Sequence, residues 1–313
     1  MKRGFAFICV LALLATTLIS AAACADGRGR TAKGQPQDEA TRPLRPTQSH
    51  PIPPPTPEPT SVPHVEAEWY VERNNTLRRM LAKNGDFAGT KEIDQAIEKM
   101  VIDPDKPMVA LTFDDGPKPG VTDEILDVLE EYNVRATFFI VGIRLNKPEE
   151  MAIVKRAISL GCEIGNHTWT HDRLTSQNLG QKRFAIRETN KIVFDATGYQ
   201  MRFVRPPGGY YDPDVCRVAK EEGMAVAKWA QSGNVMERDP KLIAQNVQKQ
   251  IVNGKELQDG DIVLLHDTKP YMVDAVKIII PQLLEQGYQL VTVWELINCS
   301  DAGFIPGEVY HHQ

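Results

Sequence analysis

The feature that most constrains the fold is a regular alternation of short β-rich apolar runs with amphipathic helices, which begins at Asp103. Strands are predicted at Val109–Phe113, Ala136–Val141, Glu163–Gly165, Phe203–Arg205, Ala225–Trp229, Ile262–His266 and Gln289–Val293. Helices are predicted at Asp123–Tyr132, Glu149–Leu160, Gln181–Thr197, Pro213–Glu222, Leu242–Asn253 and Val273–Glu285. Because strands joined by crossover helices run parallel, we expect an α/β fold whose sheet is open or closed into a barrel.

The composition excludes several classes of protein. Of the 313 residues, 42% are hydrophobic and 25% are charged, which is typical of a globular chain and not of a disordered or fibrous one. Only one apolar run approaches membrane length, so a polytopic membrane protein is excluded. The net charge of −5 and the lack of a basic block argue against a nucleic-acid partner. Five cysteines are too few for a disulfide scaffold.

Residues 1–25 have the pattern of a secretory signal peptide. Lys2 and Arg3 precede the apolar run Phe5–Ile19, which is shorter than the ~20 residues of a spanning helix, although an uncleaved anchor is the alternative. The small residues that follow end in Cys24, as in a bacterial lipobox, and predict lipidation of this cysteine; cleavage after Ala25 is the alternative. We therefore expect an exported protein, anchored by lipid at the extracellular face of the cytoplasmic membrane or released into the cell wall.

The rest of the chain divides into four predicted segments. Residues 26–64 include ten prolines and few apolar side chains, which predicts a disordered, extended linker. Such a segment would act as a spacer between membrane and domain, or as a tail with no length requirement. Residues 65–102 have helical spacing and form a short extension. The main domain covers residues 103–299, and residues 300–313 form a C-terminal tail.

Ionisable residues follow four of the predicted strands at the point where each strand ends. Asp114 and Asp115 follow the first strand, His167 follows the third, Arg205 ends the fourth and His266 ends the sixth. In a parallel sheet these carboxyl ends meet at one rim, where ligands bind. Each residue alone has a structural explanation, such as a turn, a helix cap or a surface ion pair. Ionisable residues at the ends of four separate strands together indicate an active site.

This combination favours metal-dependent hydrolysis. Two adjacent carboxylates repel each other, and a divalent cation would neutralise them. His167 and His171 are four residues apart, a spacing that can aim two rings at one ion, and two histidines with one carboxylate form a hydrolytic metal site. The second carboxylate is then free to act as a general base, with Arg205 to orient it and His266 as the general acid.

Four motifs in this order resemble those of the polysaccharide deacetylases, the carbohydrate esterase family 4 group with the NodB homology domain. The motifs are Thr112–Pro117, His167–His171, Arg205–Gly208 and Leu264–Asp267. The resemblance covers residues 103–299, about two thirds of the chain. It implies a distorted (β/α) barrel with about seven parallel strands and a metal-dependent removal of acetyl groups from N-acetylated sugars.

The resemblance also implies roles for individual residues. The catalytic residues are Asp114 as base, Arg205 as the arginine that holds this base, and His266 as acid. The metal ligands are Asp115, His167 and His171, which would hold one divalent ion per chain, expected to be zinc, or cobalt or nickel as in some relatives. The substrate-contacting residues are Leu264 in the acetyl pocket and Gly208, whose backbone N–H would contact the oxyanion.

Two parts of the sequence depart from the family pattern. Gly208 stands where a tyrosine is common, but a backbone N–H is available from either residue. Asn234 and Val235 stand where Asp-Trp is common, and an Asn beside His266 brings no charge, which predicts a weakened acid or a shifted pH optimum. Trp229 lies near these motifs and is predicted either to stack on a sugar or to pack in the core.

Three cysteines, Cys162, Cys216 and Cys299, belong to the main domain, so at most one disulfide is possible. Cys162 precedes His167 by five residues, but a buried strand cysteine is the preferred interpretation over a metal ligand.

The sequence thus predicts an exported, monomeric hydrolase that acts on the carbon–nitrogen bond of N-acetylated sugars. Its partners would be a polysaccharide and, through the lipid anchor, a membrane. The expected substrate is peptidoglycan N-acetylglucosamine; chitin oligomers, an exopolysaccharide and acetylated xylan are alternatives. A non-catalytic glycan-binding module and a structural lipoprotein are the alternatives from other classes.

Overall fold

A computed structural model describes residues 74–75, 101–233, 237–249, 254–299 and 303–312. The predicted signal peptide with Cys24, the linker and almost all of the predicted helical extension lie outside the described residues, as do Asn234 and Val235. Within these ranges, no helix has the length and apolar character that crossing a bilayer requires.

Nine strands and seven α-helices make up the described ranges from residue 101 onward, and residues 74–75 are helical. The strands are β1 Met108–Asp114, β2 Thr137–Ile140, β3 Glu163–Asn166, β4 Phe203–Val204, β5 Ala225–Ala227, β6 Gln231–Ser232, β7 Ile262–His266, β8 Gln289–Leu290 and β9 Val309–Tyr310. The helices are α1 Thr122–Glu131, α2 Pro148–Ser159, α3 Leu179–Thr197, α4 Pro213–Glu221, α5 Pro240–Gln248, α6 Tyr271–Glu285 and α7 Val293–Asn298. Short 3₁₀ turns lie at Gly142–Asn146, Leu174–Ser176 and Pro207–Gly209.

Local sequence signals explain where several helices begin. The Asn178 side chain accepts a hydrogen bond from the backbone N–H of Gln181 and so caps α3, and the Asp212 side chain caps α4 in the same way. Pro213 and Pro240 are the first residues of their helices, where a missing N–H costs nothing.

All strand pairings are parallel, in the order β6-β7-β1-β2-β3-β4-β5-β9, with β8 paired to β1. Only residues 228–230 separate β5 from β6. The segment 225–232 therefore pairs with β4 through its first part and with β7 through its last part, which closes the sheet into a ring. The predicted α/β barrel is confirmed.

The sheet contains more strands than predicted. β6 is only two residues long, and β9 lies in the segment 300–313, which was predicted to be a tail. β9 pairs with β5 at the edge of the sheet. The predicted strand Gln289–Val293 is shorter in the structure, because the Thr292 side chain caps α7 at the backbone N–H of Glu295.

The strands separate two apolar clusters. A large outer cluster between sheet and helices includes Leu111, Phe113 and Ile279, while a smaller inner cluster fills the barrel and includes Phe139, Phe203 and Ile262. Inward residues alternate with outward ones, and near the carboxyl ends the inward residues become polar. This alternation places an apolar interior beneath a polar rim.

Candidate active site

The rim at the carboxyl ends of the strands brings together the ionisable residues that sequence reasoning singled out. β1 and β7 are in register, so Asp114 lies beside His266. The His167 ring nitrogen Nε2 lies 3.6 Å from Asp114 Oδ2 and 3.4 Å from Asp115 Oδ1. His171 Nε2 lies 3.0 Å from the same Asp115 oxygen.

Asp115, His167 and His171 form a cluster that fits a metal ion. One ligand atom from each lies within 4.8 Å of the others, and no further cluster of this kind occurs among the residues with described positions. Asp115 Oδ1 is buried and has no hydrogen-bond partner of acceptable geometry, although two imidazole nitrogens face it. An oxygen and two ring nitrogens that converge without hydrogen bonds suit a shared divalent cation.

The charges of the cluster are set by this proximity. Burial acts to raise the pKa of Asp115, but the imidazoles of His167 and His171 outweigh it and hold that pKa well below its ordinary value. In return, Asp115 raises the pKa of His171. The carboxylate therefore stays ionised, as a metal ligand must.

The orientation of His167 is fixed by a contact on the far side of its ring. Nδ1 lies 2.6 Å from the carbonyl oxygen of Arg205, which requires Nδ1 to carry the proton and leaves the lone pair of Nε2 directed at the cluster. Its side chain is 2% exposed. His171 sits at the outer edge and is 44% exposed.

The loops that carry the ligands are held in strained backbone conformations. Asp115, Thr168 and His171 have φ values of 76°, 69° and 63°, in the left-handed region that non-glycine residues seldom adopt. Asn166, fully buried, supports the histidine loop: its Oδ1 accepts the backbone N–H of Thr168 at 2.8 Å, and its Nδ2 donates to the carbonyl oxygen of Ile186 at 2.8 Å. The supporting role of Asn166 was not predicted, because the sequence does not show how a turn is braced.

Arg205 holds Asp114. The guanidinium group is fully buried, and its Nη1 donates to Asp114 Oδ1 at 2.8 Å and to Thr112 Oγ1 at 2.6 Å. Its remaining donors reach the carbonyl oxygens of Ala227 and Lys228, and its plane lies 4.0 Å from the centre of the Phe139 ring. Burial lowers the pKa of Arg205, and the Asp114 carboxylate opposes that change. The pair thus fixes one oxygen of Asp114 and leaves the other facing the cluster.

A buried acid that was assigned no role, Asp267, lies under the Asp-Asp turn. Its backbone N–H donates to the carbonyl oxygen of Asp114 at 3.3 Å, and its Oδ2 accepts from Thr122 Oγ1 at 2.6 Å. A Cβ atom on Gly116 would lie 2.1 Å from this carboxyl group, so glycine is needed there. Burial raises the pKa of Asp267 to about 7. From sequence alone, Asp267 is indistinguishable from a helix cap.

The predicted substrate-contacting residues surround the same rim. Leu264 is buried on β7 two residues before His266, on the same side of the strand. Gly208 is exposed and has a φ of 67°, and Trp229 packs against Gly209 and the inner apolar cluster. The structure brings these residues near the site, and their contacts with substrate stay predictions.

Cys162, Cys216 and Cys299 form no disulfide with one another. Cys162 is buried just before β3, outside the metal cluster, and burial raises its pKa to about 12. This matches the interpretation as a buried cysteine and not a ligand.

Comparisons with known proteins agree with this geometry. Residues 102–227 match the profile of a family described as polysaccharide deacetylase. The chain is 36% identical over 206 residues to the peptidoglycan-N-acetylmuramic acid deacetylase PdaC of Bacillus subtilis, covering 66% of this chain but 42% of that protein. It is 37% identical over 196 residues to a peptidoglycan-N-acetylglucosamine deacetylase of Bacillus cereus, covering 61% of this chain and 88% of the relative.

A solved structure shows the same likeness in three dimensions. A family 4 acetyl xylan esterase from Clostridium thermocellum, in complex with a cobalt ion, superposes with a TM-score of 0.58 at 33% identity. The match covers 66% of this chain and 98% of the esterase chain.

Proposed function

Since the chain belongs to the polysaccharide deacetylase family, we propose that it hydrolyses the acetamide groups of N-acetylated sugars in a cell-wall or extracellular polysaccharide. One observation carries the proposal: the cluster of Asp115, His167 and His171 lies beside a second carboxylate, Asp114, which is held by a buried arginine. This is the set of groups that metal-assisted hydrolysis needs.

Each group has a place in the proposed reaction. Asp115, His167 and His171 would hold a divalent metal, which supplies Lewis acidity at the carbonyl and makes water easier to deprotonate. Asp114 takes the proton of the attacking water through Oδ2, while Oδ1 stays bound to Arg205. Because Arg205 holds Oδ1, Oδ2 is already directed at the cluster before substrate binds.

The second half of the reaction requires an acid and an oxyanion contact. As the C–N bond breaks, protonated His266 gives its proton to the leaving amine, and the products are a free amino sugar and acetate. The backbone N–H of Gly208, in an exposed turn that follows Arg205, is the proposed donor to the developing oxyanion. Leu264 would line the pocket for the acetyl methyl group.

We infer that the substrate is peptidoglycan and that the sugar deacetylated in it is N-acetylglucosamine. The supporting observation is that curated relatives carry names for deacetylation of peptidoglycan N-acetylmuramic acid or N-acetylglucosamine. Chitin oligomers, an exopolysaccharide and acetylated xylan are the alternatives within the class. Zinc is the proposed metal, one per chain, with cobalt as an alternative that the Clostridium thermocellum structure supports.

The proposed location follows from the sequence before the barrel. The signal-like residues 1–25, the lipobox-like Cys24 and the proline-rich residues 26–64 support an exported domain attached to the membrane by lipid, with a spacer that reaches the wall. The main domain, residues 103–299, is proposed to work there as a monomer.

Acetate release tests the proposed activity. The full chain, loaded with Zn²⁺ or Co²⁺, is incubated with peptidoglycan, chitin oligomers and acetylated xylan. We expect metal-dependent release from peptidoglycan, with loss of roughly 100-fold or more in Asp114→Asn, because a positioned base contributes about that factor. Asp274→Asn removes an exposed carboxylate on α6 and serves as the matched control.

Three other outcomes would change or overturn the proposal in different ways. Release from chitin oligomers alone would keep the N-deacetylase and replace the substrate. Release from acetylated xylan alone would show hydrolysis of O-acetyl esters and would overturn the proposed hydrolysis of acetamides. Glycan binding without release from any substrate, with metal bound, would favour the non-catalytic binding module.

A further inference from the structure

A stacked pair of exposed side chains connects two loops of the candidate active site. The Arg173 guanidinium lies 3.6 Å from the centre of the Tyr210 ring. Arg173 is two residues past the metal-ligand position His171, and the Tyr210 ring covers Gly208, where a Cβ atom would lie 2.8 Å from the ring. The pair therefore stands at the rim, between the loop that follows β3 and the loop that follows β4.

Two more cations lie at the same rim. Arg144 is exposed and directly follows Ile143, whose backbone N–H donates to the carbonyl oxygen of Trp169 at 2.9 Å, in the loop that carries His171. The Lys228 ammonium lies 5.4 Å from the centre of the exposed Tyr211 ring, and its Cε would lie 3.3 Å from a Cβ on Gly209. We call Arg144, Arg173, Lys228 and Tyr210 the cationic rim.

The members of the cationic rim differ from the basic residues of the outer helices. Arg156, Arg183 and Arg187 each make short ion pairs with carboxylates on neighbouring elements. Across the described residues, no ion pair within 4.0 Å joins Arg144, Arg173 or Lys228 to a carboxylate. Within the described residues, these three cations are therefore available to an external anion.

We propose that the cationic rim is a subsite for a carboxylate carried by the glycan strand, and that Arg173 is its main specificity-determining residue. This inference rests on the proposed function, because it places the charged group next to the sugar that is deacetylated. In peptidoglycan that carboxylate belongs to the lactyl ether of muramic acid or to the peptide stem, and chitin carries neither.

The geometry suits this ligand. A guanidinium presents a planar fork of donors that matches a carboxylate, and stacking on Tyr210 restricts the side chain before the ligand arrives. The open face of a tyrosine ring is also a surface on which a sugar can pack. One opposing charge, Asp172, lies in the same loop, and its carboxylate already accepts a hydrogen bond from Thr170.

Whole-molecule electrostatics favour a local cationic site for such a substrate. The chain has a net charge of −5, and a strand of carboxylate-bearing glycan is also negative, so the two repel at long range. Cations at the rim reverse the sign of the interaction where the substrate binds. This attraction should be sensitive to salt, because it acts at the surface.

The test compares kcat/KM for two substrates in the full-length, metal-loaded protein: muramic-acid-containing glycan strands and N-acetylglucosamine oligomers of equal length. In Arg173→Gln, we expect the ratio of the first value to the second to fall roughly tenfold, the effect of losing one charge-assisted contact. Arg173→Lys keeps the charge without the planar fork of donors, so its ratio should lie between those of the wild type and Arg173→Gln. Lys277→Gln removes an exposed positive charge on α6 and should leave the ratio unchanged.

Two further measurements separate recognition from structure. The ratio should decrease with ionic strength in the wild type and lose most of that dependence in Arg173→Gln. In calorimetric titrations, the double variant Asp114→Asn, Arg173→Gln should bind the muramic-acid glycan more weakly than the single variant Asp114→Asn. Strands with and without peptide stems distinguish the lactyl carboxylate from the stem carboxylates.

The outcomes distinguish this inference from the proposed function. If the wild type releases acetate and Arg173→Gln reduces kcat/KM equally for both substrates, the deacetylase stands and the carboxylate subsite is wrong. If the wild type releases no acetate, the activity has failed, and the binding titrations still decide whether Arg173 recognises the charged strand.

Discussion

At the scale of single residues, Arg205 orients both halves of the candidate site. Its guanidinium group holds Asp114 by a hydrogen bond, and its backbone carbonyl oxygen accepts a hydrogen bond from Nδ1–H of His167. The proposed base and a proposed metal ligand are therefore positioned by one fully buried residue. A lysine at this position would supply charge without the fork of donors that spans Thr112, Asp114 and two backbone carbonyls.

Removal of one histidine tests the metal cluster directly. We expect the wild type to bind one Zn²⁺ per chain and His171→Gln to bind it at least about 100-fold more weakly, because only two protein ligands remain. Calorimetric titration of the metal-free protein measures both affinities. His311→Gln, which lies outside the cluster, is the control; equal affinities in His171→Gln and the wild type would exclude the assigned ligand set.

A buried glutamate at the opposite end of β3 predicts a pH dependence of stability. Thr137 Oγ1 and the backbone N–H of Trp294 each donate to Glu163 Oε2 at 3.0 Å, while Oε1 is unpaired. Burial raises the pKa of Glu163 from 4.5 to about 7. Between these values the folded protein binds a proton that the unfolded chain has released, so the free energy of unfolding should decrease as pH rises through this range.

Glu163→Gln should remove that decrease. Relative to the variant, the wild type is expected to lose on the order of 3 kcal/mol between pH 4 and pH 8, from the size of the shift. Urea unfolding of both proteins across this range gives the difference in their free energies of unfolding. The contribution of Asp267 is present in both proteins and cancels in this difference. Parallel stability profiles for the two proteins would show that Glu163 does not titrate as proposed.

The site residues could be predicted because acids, imidazoles and a guanidinium directly follow apolar strand runs, a pattern visible without coordinates. Asn166, Asp267 and Arg173 were assigned no role for a common reason. Their partners, Thr168, Thr122 and Tyr210, are brought to them by backbone conformation and by contacts between loops, and neither leaves a periodic signal.

At the scale of elements, the last strand extends the edge of the sheet. β9 pairs with β5, and Phe304, six residues before the end of that strand, packs against the rings of Phe203 at 5.3 Å and Trp294 at 4.9 Å. Tyr310 packs against Phe203 as well. These contacts extend the inner apolar cluster beyond residue 299, where the domain was predicted to end.

Truncation of Phe304 should therefore destabilise the barrel. Phe304→Ala is expected to lower the free energy of unfolding by about 2 kcal/mol, less than for a fully buried phenylalanine because the ring is half-buried. Ile305→Ala, at a neighbouring side chain that is 49% exposed, should change stability by less than ~0.5 kcal/mol. Equal effects in chemical unfolding experiments would mean that this segment does not stabilise the barrel.

Element prediction succeeded where a strand is long and apolar and failed where pairing alone defines it. β1 and β7 are runs of buried residues that any periodicity test detects. β6 and β9 have two residues each, and only their neighbours in the sheet identify them as strands. The capping signal of Thr292 was present in the sequence, but the apolar run across it was interpreted as a strand.

At the scale of the whole molecule, the proposed lipid anchor at Cys24 predicts where the protein fractionates. Cys24→Ser should move the protein from the membrane fraction to the soluble fraction, because lipid attachment requires the thiol. Fractionation of cells that express each form, with mass spectrometry of the mature N-terminus, measures the change. A wild-type N-terminus at unmodified Asp26 would show cleavage after Ala25 and no lipid.

The pairing of β1 has a consequence for biogenesis. Thr112 Oγ1 donates to the carbonyl oxygen of Val263, a contact across 151 residues of sequence, and β8 pairs with β1 from still farther along the chain. Until those late segments are available, β1 has an open edge and the ring cannot close. Contacts this distant in sequence slow folding and leave strand edges exposed in the incomplete chain. A chain that crosses a membrane from its N-terminus would therefore complete its barrel only after almost its entire length has emerged.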